Sequence, residues 1–238
     1  GLLWFWWSLC YFLFRRHPLE PLGAHLPWRS VLLVSLAAAV LTPLILRFIP
    51  VGNVLPLAVS SYLAVHFCLY GLLLLVGTTA LGASPLPALR RLSWRQTLGS
   101  MLLMVALVTL VLGTVTQNWW LNVFPPFRRI PWAFVLFVLL VPYWVGDAWL
   151  TGNLRNGSSR WAFWISKAFF IGSLLLAVVI NRDLSFIFLV LPVILMIFIL
   201  FGVMGSRLTQ RTGNPFPAAL GTAAILAWLI AATFPLIR

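Results

Sequence analysis

Acidic residues are nearly missing from this chain. Its 238 residues include three acids, Glu20, Asp147 and Asp183, and all charged residues together make up 8%. Ordinary soluble domains carry about a quarter charged residues, so a soluble globular fold and a disordered chain are both excluded. Histidine is equally scarce, with His17, His25 and His66 only. Six acids and histidines in all leave little from which to assemble acid–base catalysis. The two cysteines, Cys10 and Cys68, lie in apolar stretches without CxxC spacing, which argues against both a zinc site and a disulfide scaffold. GxSxG, HExxH, Walker A and GxGxxG sequences are absent too, and no two carboxylates pair inside an apolar segment. The chain therefore holds no complete catalytic constellation, and the reading leans against an enzyme.

What is present is apolar. Hydrophobic residues make up 62% of 238, about 148 residues, and the mean hydropathy is +1.04. A spanning helix takes about 20 apolar residues, so this content fills roughly seven spans. The runs are continuous rather than alternating, which excludes a membrane β-barrel. The expected fold is all-α, a polytopic transmembrane helical bundle forming a single domain over residues 1–238. Eight apolar segments can be delimited, at 1–14, 30–46, 54–80, 97–117, 132–150, 161–181, 184–205 and 216–237. The first is too short to span alone, giving seven complete spans plus a short N-terminal segment. The chain begins at Gly1 rather than Met, as expected of a processed product or a piece of a longer protein. Residues 1–14 lack the flanks of a secretory signal.

The net charge of +13 comes from 15 arginines and Lys167. In a soluble protein this excess would suggest nucleic acid. Here the arginines lie in short loops, where positive charge marks the cytoplasmic side, and no nucleic-acid partner is expected. Ten fall on one side: Arg15, Arg16, Arg29, Arg90, Arg91, Arg95, Arg155, Arg160, Arg207 and Arg211. Five fall on the other: Arg47, Arg128, Arg129, Arg182 and Arg238. The bias makes the first side cytoplasmic and puts both termini outside, and the expected location is a bacterial inner membrane. Trp28-Arg29, Trp94-Arg95 and Arg160-Trp161 recur at spacings of 66 and 67 residues. Hairpins of equal length with interfacial anchors suffice to explain this.

Few residues could carry chemistry. Asp147 and Lys167 are the two charges inside apolar segments, on consecutive antiparallel spans. Lys167 lies six residues beyond Trp161, about 9 Å deep. Charges in a bilayer are costly and usually pair or line a path, so the two read as a structural ion pair or, alternatively, a proton or ion site. A snorkelling lysine is a further reading. His66 is near the middle of its segment, with Ser60, Ser61 and Tyr62 nearby. It could ligate a haem or chlorophyll metal, or simply be hydrogen-bonded within the bundle. Nothing in the sequence specifies a cofactor.

The loop holding His17, Glu20 and His25 has metal-binding residue types, but its spacing matches no zinc motif, so no metal site is expected. In the loop 118–131, Trp119, Trp120, Arg128 and Arg129 have the composition of a headgroup-level, lipid-contacting segment. Ala219, Ala223, Ala227 and Ala231 recur every four residues, a small-residue stripe that permits close helix packing. Pro142 and Pro192 fall inside segments and should kink them.

Finally, residues 207–238 contain Arg211-Thr212-Gly213, Pro217, Ala227-Trp228 and Phe234-Pro235. This stretch resembles the end of certain large bacterial α/β-hydrolase-type proteins, in which a soluble domain precedes a polytopic membrane region. The resemblance implies a hydrolase domain upstream, outside the membrane. No part of a hydrolase core lies in this chain, so no catalytic residue is carried over. The expected role is a membrane anchoring or assembly module. Its partners would be the lipid bilayer and either other membrane subunits or an attached extracytoplasmic domain. The alternatives are a transporter or channel with a site near His66, Asp147 and Lys167, and a pigment- or cofactor-binding subunit using His66.

Overall fold

A backbone in lipid has no water to satisfy it, so an apolar run of about 20 residues closes its hydrogen bonds as a helix. The computed structural model describes residues 26–49, 58–90, 92, 94–95, 97–99, 102, 130–152, 159–180, 195, 201–210 and 213–233. Among them there are helices and turns and no strand. The elements are α1 (Trp28–Leu46), α2 (Ala58–Ala80), α3 (Leu86–Leu89), α4 (Ile130–Gly152), α5 (Ser159–Ile180), α6 (residues 201–210) and α7 (Phe216–Thr233). Four of these helices contain stretches long and apolar enough to cross a membrane: Trp28–Leu46, Tyr62–Ala80, Ile130–Thr151 and Trp161–Ile180. Their 19 to 22 residues correspond to about 28–33 Å of helix, close to the thickness of a hydrocarbon core. In α7 the qualifying apolar stretch, Phe216–Trp228, is shorter. Segments 1–14 and 184–194, most of 97–117, Pro192, Trp119, Trp120, Arg128 and Arg129 lie outside the described residues.

Helix bounds run slightly beyond the apolar segments. α4 covers Ile130–Gly152 rather than 132–150, and α5 starts at Ser159 rather than 161. The helices begin without acidic first turns, so no carboxylate marks their starts. Among the described residues two prolines fall beyond the first turn of a helix, the expected Pro142 in α4 and also Pro43 in α1. Neither ends its helix. Beside Pro43, the Thr42 hydroxyl donates to the Ala38 carbonyl one turn back at 2.7 Å, which satisfies the buried hydroxyl within its own helix.

Side-chain neighbours fix the directions of the helices. Gly71 meets Tyr143 and Leu74 meets Gly146, three residues on in both helices, so α2 and α4 run parallel. Asp147 meets Lys167 and Tyr143 meets Phe170, so α5 runs antiparallel to α4. Trp144 meets Phe201 and Ala148 meets Gly205, which makes α6 parallel to α4. In α1, Ser35 meets Tyr70 and Val34 meets Gly77, antiparallel to α2. One end of the bundle thus gathers the start of α1, the ends of α2, α4 and α6, and the starts of α5 and α7. Hydrogen bonds tie this end together: Trp149 Nε1 donates to Ala83 O at 2.9 Å, and Asn214 Nδ2 to Ala88 O at 3.0 Å. Arg29, Arg90 and Arg207 belong to it, and Arg47 to the opposite end.

The turn after α2 has a clear cause. Gly82 has φ +78°, a left-handed conformation open to glycine. It lets Ala83 N–H reach Thr78 O and Gly82 N–H reach Thr79 O, both at 2.9 Å, the two bonds of a Schellman motif.

The core centres on α4. Of its spanning stretch 61% is buried, against 39% for each of the other three. It packs on α2 and α7, while α1 packs on α2 and α5. Contact with α2 depends on glycine. A Cβ on Gly71 would overlap the backbone of Pro142 and Tyr143, so the two helices could not approach this closely with any larger residue. Small residues at such crossings let dispersion contacts hold helices together where lipid removes the hydrophobic drive.

Candidate functional site

The strongest electrostatic feature lies where α4, α5 and α6 meet. Asp147 projects from α4 and Lys167 from α5, and Lys167 Nζ donates to Asp147 Oδ2. Both residues are buried, 4% and 7% exposed. An unpaired charge at this depth would be severely penalised, and pairing offsets much of that cost. The surroundings complete the site. The Lys167 ammonium lies 5.2 Å from the Phe163 ring centre and 6.0 Å from that of Tyr143, within cation–π range. The Thr151 hydroxyl donates to the Asp147 carbonyl at 2.6 Å, one turn along α4.

Gly202 of α6 makes the space for this cation. A Cβ there would lie 2.9 Å from Lys167 Nζ and 3.0 Å from Cε, tighter than a methyl group tolerates. Sequence reasoning does not single out Gly202. The available signal is Gly202-x-x-Gly205, two small residues one turn apart on the same helix face.

His66 occupies a different site. It is fully buried on α2, and its Nε2 is 3.1 Å from Ser173 Oγ on α5. Phe170 packs edge-on at 5.6 Å between ring centres, and Tyr62 lies at 6.2 Å. His66 Nδ1 has no hydrogen-bond partner among the described residues. The imidazole is thus held in the bundle by one polar contact and two rings. A macrocycle bound at Nε2 would have to displace Ser173.

The structure brings Asp147 and Lys167 together and keeps His66 apart from them. Lys167, Phe170 and Ser173 follow each other at three-residue intervals on α5, so Phe170 stands between the charge pair and the histidine. Its ring also meets Phe67, Tyr70 and Tyr143, each with centres 4.9–5.0 Å apart. An apolar aromatic layer separates the two polar sites. Tyr70 turns its hydroxyl outward from this layer to donate to the Ser35 carbonyl of α1 at 3.2 Å.

The remaining described candidates have structural settings. Ala219, Ala223, Ala227 and Ala231 are all at most 4% exposed, on the helix that packs against α4. Thr222 beside them is equally buried. Cys68 is a half-buried free thiol. No group of three His, Cys, Asp or Glu among the described residues could hold a metal ion. The chain matches no protein-family model, no curated protein and no solved structure.

Proposed function

We propose that this chain is an integral membrane scaffold that anchors or assembles a partner, with Asp147–Lys167 as the internal tie of its helix bundle. The observation that carries this reading is the closed state of the pair. The two charges are buried, mutually engaged and roofed by Phe163, Tyr143 and the glycine face of α6. A transport site needs access from water to the groups that bind the ion, and here the protein itself surrounds them. The proposed topology has seven complete spans plus the short N-terminal segment, with the Arg29 end in the cytoplasm and both termini outside. The excess of arginine at that end supports this orientation. The partner is either other membrane subunits or an extracytoplasmic domain, as the resemblance of residues 207–238 to α/β-hydrolase-type membrane regions suggests.

The test is the double variant Asp147→Asn with Lys167→Met, purified in mild detergent and reconstituted in vesicles. A scaffold keeps its membrane insertion and the partners that co-purify with wild type. Vesicles with wild-type protein then show no more proton or ion flux than vesicles with the variant. Flux in wild type that vanishes in a folded double variant establishes the transporter reading instead. Impermeant cysteine labelling in loop 83–96 checks the orientation, since modification from outside reverses it.

A further inference from the structure

Beyond the glycine turn that ends α2, the chain around α3 carries basic and apolar side chains together on one exposed surface. Backbone bonds run from Ala88 N–H to Pro85 O at 2.9 Å, from Arg90 N–H to Pro87 O at 3.3 Å and from Leu92 N–H to Leu89 O at 3.2 Å. Each bond closes over three residues, so residues three apart fall near one edge of the winding chain. Pro85 and Ala88 form the inner edge, buried and half-buried. Leu86, Leu89 and Leu92 form an outer edge, the first two 64% and 48% exposed. Arg90 is exposed beside them, as are Trp94, at 70%, and Arg95.

Neighbouring helices fix the level of this surface. The spanning stretch of α2 ends at Ala80, three residues before Ala83. The Ala83 carbonyl accepts from Trp149, two residues short of the end of the α4 stretch. Asn214, just ahead of α7, holds the Ala88 carbonyl. The inner edge is thus tied to the ends of the bundle helices, at the height where hydrocarbon gives way to headgroups. Exposed leucine and tryptophan at that height gain apolar cover from the tops of the acyl chains, as interfacial segments do. Asp147 is the only acid among the described residues, and Lys167 already engages it. Arg90 and Arg95 therefore meet no carboxylate among these residues, and a guanidinium matches a phosphate through two parallel hydrogen bonds.

We propose that segment 84–95 is an interfacial platform that gathers anionic phospholipid in the leaflet at this end of the bundle. Leu86, Leu89, Leu92 and Trp94 sit among the tops of the acyl chains, and Arg90 and Arg95 hold lipid phosphates. Two features commit the surface to lipid. The spans on either side already place it at the bilayer edge, and its arginines are interleaved with the apolar residues they serve. The bonds to Trp149 and Asn214 keep the platform in place, so it selects lipids without having to fold onto them.

The test attaches the fluorophore bimane to Leu89→Cys in a Cys10→Ala, Cys68→Ala background, reconstituted in vesicles of equal phosphatidylglycerol and phosphatidylcholine. Part of one lipid or the other is replaced by its nitroxide-labelled form, and quenching reports which lipid lies against the segment. Both leaflets hold both lipids, so the result does not depend on orientation. Labelled phosphatidylglycerol quenches more strongly. Arg90→Gln lowers that preference by about fivefold, the usual weight of one basic residue at an anionic surface. Adding Arg95→Gln brings the two lipids to near-equal quenching. Trp94→Cys repeats the measurement from the other end of the segment. Bimane at Val138→Cys, exposed midway along α4, is quenched by both lipids without preference and shows that each protein is inserted. Equal quenching at Leu89→Cys with both arginines present overturns the proposal. Quenching there by aqueous iodide and by neither lipid also overturns it, because the segment is then a solvated loop. Shielding from lipid and iodide alike overturns it too, because the surface is then covered by protein, a second copy or another subunit.

Discussion

Lys167 and Ser173 stand six residues apart along α5, and each meets a buried polar group from another helix. The two meetings are built differently. Around Lys167 the protein supplies a full counter-charge from Asp147, two aromatic faces and a glycine that clears the space. Around His66 it supplies one hydroxyl, and among the described residues Nδ1 has no hydrogen bond. The difference follows from what each group demands of its surroundings. A charge in a low-dielectric interior needs an opposite charge at contact distance, whereas a neutral imidazole tolerates a single weak partner. Evolutionary room for substitution should differ in the same direction, and so should the energetics.

The largest expected effect is at the charged site. Asp147→Ala leaves the Lys167 ammonium buried without its counter-charge and should cost about 3–5 kcal/mol of stability. Asp147→Leu combined with Lys167→Met should recover most of that loss, since replacing a buried pair by apolar groups of similar volume is often neutral. Unfolding of the three proteins in one detergent measures the coupling. A double variant as unstable as the single one means that the pair is not the tie described here. Next in size is Gly202→Val, which drives a branched side chain into the ammonium and should cost about 1–3 kcal/mol. In the Asp147→Leu, Lys167→Met background the cost should shrink, because a methionine can bend away. An equal cost in both backgrounds would separate Gly202 from the lysine.

The sequence made some of this architecture legible and hid the rest for physical reasons. Charges inside apolar runs are rare because they are expensive, so Asp147 and Lys167 stood out, and their placement on consecutive helices limited the choice of partner. The all-helical class followed from the same scarcity. The small-residue stripe of α7 was visible through its regular spacing. The closest helix approach was not, since Gly71 and Gly146 are isolated glycines without periodic pattern. Gly202 has only the pair Gly202-x-x-Gly205 to mark it, and one pair does not say which helix it faces. The Ser173 partner of His66 is 107 residues away, and neutral hydrogen bonds between distant helices leave no spacing to read. Helix starts shifted by two residues because Pro27 at the head of α1 makes no side-chain cap, so the usual polar boundary signal is missing.

The smallest predicted effect is also the one that most sharpens the contrast. Ser173→Ala removes the single hydroxyl that meets His66. Hydrogen bonds between transmembrane helices average about 0.6 kcal/mol, because the unfolded chain in the membrane finds other partners. The expected loss is of that size, several times below that of Asp147→Ala. His66→Leu with Ser173→Ala should lie close to wild type, because removing both partners leaves no buried group unpaired. This cycle also separates the two readings of His66. A core histidine gives a colourless protein in all four members of the cycle, with stabilities spread over about 1 kcal/mol. A pigment ligand gives wild type a visible absorbance band that His66→Leu abolishes, with a loss of stability far beyond one hydrogen bond. In that event Ser173 is displaced when the pigment binds, and the neutral site demands as much of its surroundings as the charged one.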